Sequence, residues 1–358
     1  MDVADEALGG SYWRGIIRQR GKHTEAVIVK QACLLAAMVA LAAAAFAQVA
    51  APPKPRITVW TDVKDVPADF AIQGEYLDSA EKPTLGGQVI ALGNDTYRLV
   101  VLGGGLPGAG WDARTRVELE GKADGDSVAF TSPAGWRATL KGGAILLVDD
   151  IGQKFQLSRT TRKSPTEGAA PPPGATVLFD GKSIEAWVNG HMDDRQLLHA
   201  GTRTKQSFTD FTLHVEFLTP FKPTARGQER GNSGVYLQDR YEIQILDSFG
   251  LKGLDNECGA IYKLAAPKVN MCLPPLTWQT YDIDFTAARY DAEGKKVSDA
   301  VVTVKHNGVL IHDKQPLKGP TGGGNREQPD QPVQSGPIQL QGHGNPVFFR
   351  NIWIIERR

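Results

Sequence analysis

One period dominates the chain. From Arg240 to Leu246 apolar and polar residues alternate strictly, with Tyr241, Ile243 and Ile245 on one side and Arg240, Glu242 and Gln244 on the other. A period of two is the mark of a strand with one buried face. The same alternation runs through Asp210–Leu218, where Phe211, Leu213, Val215 and Phe217 oppose Thr212, His214 and Glu216. In Thr280–Phe285 it sets Tyr281, Ile283 and Phe285 against Asp282 and Asp284. Near the end, Ile338 and Leu340 face the core, and Gln339, Gln341 and His343 face away. Val301–His306 and Val309–His312 flank Asn307-Gly308, a strong hairpin signal. The earlier part reads the same way, with strands predicted at 58–60, 88–92, 97–102, 115–120, 127–131, 136–141 and 144–149. Gly93-Asn94-Asp95, Ala123-Asp124-Gly125 and Lys141-Gly142-Gly143 supply turns between them. Helical periodicity is scarce after residue 50, so the pattern predicts an all-β protein.

Residues 1–50 stand outside this pattern. Arg14, Arg18, Arg20, Lys22 and Lys30 lead into an uncharged run from Ala32 to Ala47 that ends Ala45-Phe46-Ala47. A basic lead, an apolar stretch and small residues at the cleavage positions predict a signal peptide over 1–47. The mature protein is then exported, to the periplasm or the medium, with no stable membrane span after signal removal. Two further regions follow: an accessory all-β domain over 57–160 and a second domain over 175–358. Between them 161–174, with Pro171-Pro172-Pro173, reads as a semi-rigid linker.

Composition narrows the function classes. Forty Lys and Arg balance forty Asp and Glu, and no basic stripe alternates with aromatics, so nucleic acid is not an expected partner. Cys258 and Cys272 are the cysteines left after the leader is removed. An even pair in an exported chain predicts one disulfide, with two buried thiols as the other reading. No Cys/His spacing matches a zinc site.

The candidate site is built around residues 231–248. Glu242 stands mid-strand on the polar face, as a base, a metal ligand or an ion-pair partner of Arg240. His343 sits between Gly342 and Gly344 at the end of the last polar strand, where an imidazole can exchange protons near neutral pH. Asn232, Tyr236, Gln244, Asp247, Gln341 and Arg350 complete the candidate set for holding a polyhydroxylated substrate. An internal ion pair is the alternative for Arg350. Gly231 and Gly234 predict a tight turn. Trp187 and Trp278 could stack on a sugar, or pack in the core. The predicted architecture is a two-sheet jelly roll with strand 240–246 on its concave sheet.

Leu178–Lys182 with Trp187, then GNSGVYLQDRYEIQILDS from Gly231, then Gly336–Gln341 with His343-Gly344-Asn345 and Phe349–Ile352, resemble the 3-keto-disaccharide hydrolase family. The resemblance covers roughly 175–357 and implies a concanavalin-like, laminarinase-like jelly roll acting on sugars oxidised at carbon 3. A ketone there acidifies the proton on carbon 2, so a base can start an elimination that expels the group on carbon 1. A bivalent metal held by Glu242 and His343 could serve as oxyanion holder. No second acid lies in phase with Glu242 on its strand, which disfavours two-carboxylate hydrolysis. A lectin-like binding module without chemistry and a structural surface domain are the competing readings.

Overall fold

The computed structural model describes residues 58–322 and 334–357. The expected signal peptide lies outside the described residues. The described part is all-β apart from one short helix, α1 (Ala68–Ile72), and one turn of 3-10 helix (Gly227–Glu229).

The first eight strands are β1 (Gly74–Leu77), β2 (Leu85–Gly93), β3 (Thr96–Gly103), β4 (Arg116–Asp124), β5 (Ser127–Thr131), β6 (Arg137–Lys141), β7 (Ala144–Val148) and β8 (Lys154–Thr160). They form an antiparallel meander that closes into a barrel when β8 pairs with β1. Closure leaves no free edge, and the inward residues Val89, Leu99, Leu119, Phe130, Leu140, Leu147 and Leu157 fill the interior. The three expected hairpin turns are present, the first with Asn94 and Asp95 at φ 54° and 58°. Positive φ at both turn residues matches the twist of the flanking strands. Strands β1 and β8 lacked a clean alternation and were not predicted; the expected strand at 58–60 is reduced to a bridge between Trp60 and Phe221.

The remaining strands are β9 (Thr176–Phe179), β10 (Trp187–Val188), β11 (Leu198–His199), β12 (Thr202–Thr204), β13 (Phe211–Leu218), β14 (Ser233–Leu237), β15 (Tyr241–Ile245), β16 (Gln279–Thr286), β17 (Arg289–Tyr290), β18 (Lys296–Ser298), β19 (Ala300–His306), β20 (Val309–Leu317), β21 (Gln339–Leu340) and β22 (Phe348–Glu356). One sheet runs β10-β12-β21-β14-β15; the other runs β11-β22-β13-β16-β19-β20, with β9 paired to β22. The alternating apolar residues of both, among them Phe211, Leu213, Phe217, Val235, Ile243, Ile245, Ile283, Phe285, Ile338 and Leu340, make one core. Asn307 and Gly308 both take positive φ in the β19–β20 turn, as their dipeptide predicts.

The barrel docks on the sandwich. Ile90, Val100 and Leu102 project outward onto Phe249, and Arg116 donates to the Gly250 carbonyl at 2.8 Å. Phe221 enters the barrel's own cluster, its ring 5.1 Å from Phe70 and 5.6 Å from Trp60.

Residues 161–169 are not a spacer standing clear of the domains. Arg162 pairs with the buried Glu75 at 2.6 Å, and Ser164 and Thr166 hydrogen-bond to Thr280 at 2.6 and 2.8 Å. The Gly168 amide donates to Glu216 at 2.5 Å. This strap covers the polar side of β13 and β16, so His214 and Glu216 are fully buried. His214 Nδ1 lies 2.6 Å from Asp282 Oδ1. Polar alternation here marks a covered polar layer, held together because every buried group finds a partner.

The expected disulfide is not formed. Cys258 and Cys272 are free, buried thiols, each with hydrogen-bond partners of its own. Cys258 Sγ lies 3.3 Å from the Tyr281 hydroxyl, and Cys272 Sγ 3.5 Å from the Leu246 carbonyl. An even cysteine count says nothing about oxidation state, and each sulfur here is satisfied as a thiol.

Candidate functional site

The five-stranded sheet turns a polar face away from the core. Tyr236 on β14 is directly opposite Glu242 on β15, and Gly234 is opposite Gln244. Because β14 and β15 are in register, three polar side chains on two strands share one patch. β21 pairs with β14 and ends one residue before Gln341, whose amide N–H donates to the Gly234 carbonyl at 2.9 Å. A cavity of about 180 Å³ opens over this patch. It is lined by Asn232, Tyr236, Glu242, Gln244, Gln341 and His343, all expected, and by Gln228, Tyr262 and Gly322, which were not.

The floor is tightly bonded. The Tyr236 hydroxyl donates to Glu242 Oε2 at 2.8 Å, and Gln341 Nε2 donates to the Tyr236 oxygen at 3.2 Å. With its amide nitrogen turned toward oxygens, Gln244 donates to Glu242 Oε1 at 3.0 Å and to the Ser233 carbonyl at 2.8 Å. Asn232 Nδ2 donates to Gln228 Oε1 at 3.0 Å, and Gln228 Nε2 to the Asn256 carbonyl at 2.8 Å. Thr321 Oγ1 accepts from the Glu242 amide at 3.0 Å, which pins the strand backbone beneath the carboxylate. Gln341 Oε1 is buried and has no hydrogen-bond partner among the described residues.

The sequence suggested that Glu242 faces solvent. It is 2% exposed, because the turn at Gln228, the segment at Tyr262 and the segment at Thr321–Gly322 rise around it. Gly234 is required for this arrangement: a methyl group there would overlap Glu242 Oε1. The glycine therefore makes room for the carboxylate. The turn expected from the Gly231/Gly234 bracket is confined to Gly231, at φ 62°. Burial pushes the Glu242 carboxyl up to about 7, against the lowering effect of the Tyr236 hydroxyl. Burial, and then the neighbouring Glu242 charge, push the Tyr236 phenol far up, so it remains a neutral donor. Among the described residues no group of three or more His, Cys, Asp and Glu side chains gathers to hold a metal ion. Glu242 and His343 are the donors of that kind at this cavity.

Two expected residues lie elsewhere. Asp247 is buried against Arg230, whose Nη2 is 2.8 Å from its carboxylate; the end of β15 turns its side chain into a structural pair. Arg350 projects from the other sheet, pairs with Glu216 at 2.7 Å and Glu167 at 2.8 Å, and stacks over Trp278 at 4.0 Å. Trp187 is in the core, its indole nitrogen donating to the Leu178 carbonyl at 2.8 Å. Gln228 and Tyr262 were missed because they sit in loops without periodicity; the polar Gly227–Glu229 turn just before Gly231 was the available hint.

No curated protein sequence matches the chain at a significant level. Among solved structures, a provisionally named glycosyl hydrolase from Parabacteroides distasonis is 36% identical over 52% of this chain and 85% of its own, with a TM-score of 0.48. A second one from that organism is 20% identical over 52% of this chain and 94% of its own, with a TM-score of 0.37. The family described as 3-keto-alpha-glucoside-1,2-lyase-like domain matches residues 174–355, which span the sandwich and every residue of the cavity. The chain belongs to this carbohydrate-active family.

Proposed function

We propose that the cavity on the five-stranded sheet cleaves glycosides that carry a ketone at carbon 3, by base-assisted elimination. The carrying observation is the Glu242 carboxyl, buried at the cavity floor with its pKa raised to about 7. A general base works best when its pKa lies near the working pH. Glu242 takes the proton from carbon 2. The electrons of that C–H bond form the enolate, and the C1–O bond then breaks as the double bond closes between carbons 1 and 2. His343 at the rim gives the departing oxygen its proton. Water adding later across the double bond makes the net reaction a hydrolysis. The amides of Gln228, Asn232, Gln244 and Gln341 hold sugar hydroxyls, with Gln341 Oε1 free to accept one. The basic lead and the Ala32–Ala47 run support export to the periplasm or the medium.

Pure protein incubated with 3-keto and ordinary glycosides tests the reading. Turnover of the 3-keto compounds is expected, and Glu242→Gln should lower it by about 10²–10⁴-fold. Repeating the assay with a chelator shows whether a bivalent ion takes part. Sugar binding with no turnover of any 3-keto glycoside would replace the enzyme by a lectin-like module.

A further inference from the structure

We infer that Lys222 is a positioning residue that ties the barrel-supported loop 219–231 to the loop bearing His343, making the N-terminal barrel a working part of the site. The inference rests on the functional reading above for His343, and on four observations that do not depend on it.

First, Lys222 is only 7% exposed. Second, its ammonium bridges the two rims: Nζ donates to the Glu229 carbonyl, beside the cavity residue Gln228, and to Asn345 Oδ1. Third, Asn345 Nδ2 donates in turn to the His343 carbonyl at 3.1 Å. A three-donor ammonium between a carbonyl and an amide oxygen fixes both, since leaving either acceptor would strand a buried charge. Burial lowers the Lys222 pKa, in keeping with that desolvated position. Fourth, the loop that carries Lys222 is held from the barrel side. Trp60 and Phe221 exchange backbone hydrogen bonds at 3.0 and 2.9 Å, and Arg226 Nη2 donates to the Leu92 carbonyl at 2.9 Å. The Thr224 side chain packs where a Cβ on Gly93 would stand. A continuous set of contacts thus runs from the end of β2 through Lys222 and Asn345 to His343.

The experiment compares full-length wild type with Lys222→Met and Asn345→Ala. Asn345→Ala cuts the link to His343 without removing the ammonium, so it serves if Lys222→Met does not fold. Two readouts are taken: kinetics on a 3-keto glycoside, and the imidazole signals of His343 in a proton–nitrogen correlation spectrum, assigned with His343→Gln. In the variants kcat should fall by about 10–100-fold, the range for supporting partners of functional groups, while KM changes less than threefold and the His343 signals shift or broaden. Wild-type kcat with unmoved His343 signals in both variants would overturn the inference. Absence of turnover in the wild type would refute the functional reading alone; the His343 signals then decide the role of Lys222.

Discussion

Tyr236 and Glu242 face each other on adjacent strands, with the phenol donating to the carboxylate at 2.8 Å inside a buried floor. This pairing holds a carboxyl where water cannot solvate it. Folding raises its pKa from 4.5 to about 7. Between those values the folded protein keeps a proton that the unfolded chain has lost, so this group's contribution to stability is full below pH 4.5 and is lost as pH rises through 7. The loss is on the order of 3 kcal/mol. Glu242→Gln should therefore be more stable than wild type at pH 8 and close to it at pH 5. Urea melts at both values check this; a gap that does not change with pH would mean that Glu242 is not desolvated.

The same hydrogen bond opposes the rise, because the phenol favours the charged carboxylate. Tyr236→Phe removes that donor and should move the Glu242 pKa further up. A hydrogen bond to a charged group is worth roughly 1.5–3 kcal/mol, which corresponds to about 1–2 pH units. The pH profile of kcat/KM should keep its rising limb and shift to the alkaline side by that amount. A pH profile that stays where the wild type has it would separate Tyr236 from the base.

The strands most legible in the sequence were those with one apolar face. In β13, β15 and β16 each apolar position of the alternation is in the core, because a period of two can satisfy only one packing face. The polar side of the alternation carried less information. Glu242, His214 and Arg350 all occupy polar positions, yet Glu242 lines a cavity, His214 is sealed beneath the strap at 161–169, and Arg350 joins an ion pair. What separates them is which loop covers each face, a long-range relation with no local period. Proline content made 161–174 look like a spacer, while the hydrogen bonds of Ser164, Thr166 and Gly168 dock its first part. Gln228 and Tyr262 reach the cavity from loops, where no spacing rule applies.

Arg350 provides the sharpest separation of structure from function. Its guanidinium donates to Glu216 at 2.7 Å on the far sheet, where Glu216 is fully buried. Burial would raise the Glu216 carboxyl, but hydrogen bonds from His214, Asn351, the Gly168 amide and Arg350 hold it down at about 2. Removing one partner of a buried pair costs about 3–5 kcal/mol. The Arg350 side chain is 34% exposed and other donors remain, so Arg350→Met should cost less, about 2–3 kcal/mol. The depressed carboxyl stabilises the fold above pH 4.5, and that contribution is lost as pH falls toward 2. The cost of the substitution should accordingly be largest near neutral pH and shrink in acid. Because Arg350 does not line the cavity, KM for a 3-keto glycoside should stay at the wild-type value. Denaturant melts at pH 7 and pH 3.5, with KM measured alongside, give the answer: wild-type stability combined with a raised KM would return Arg350 to the substrate.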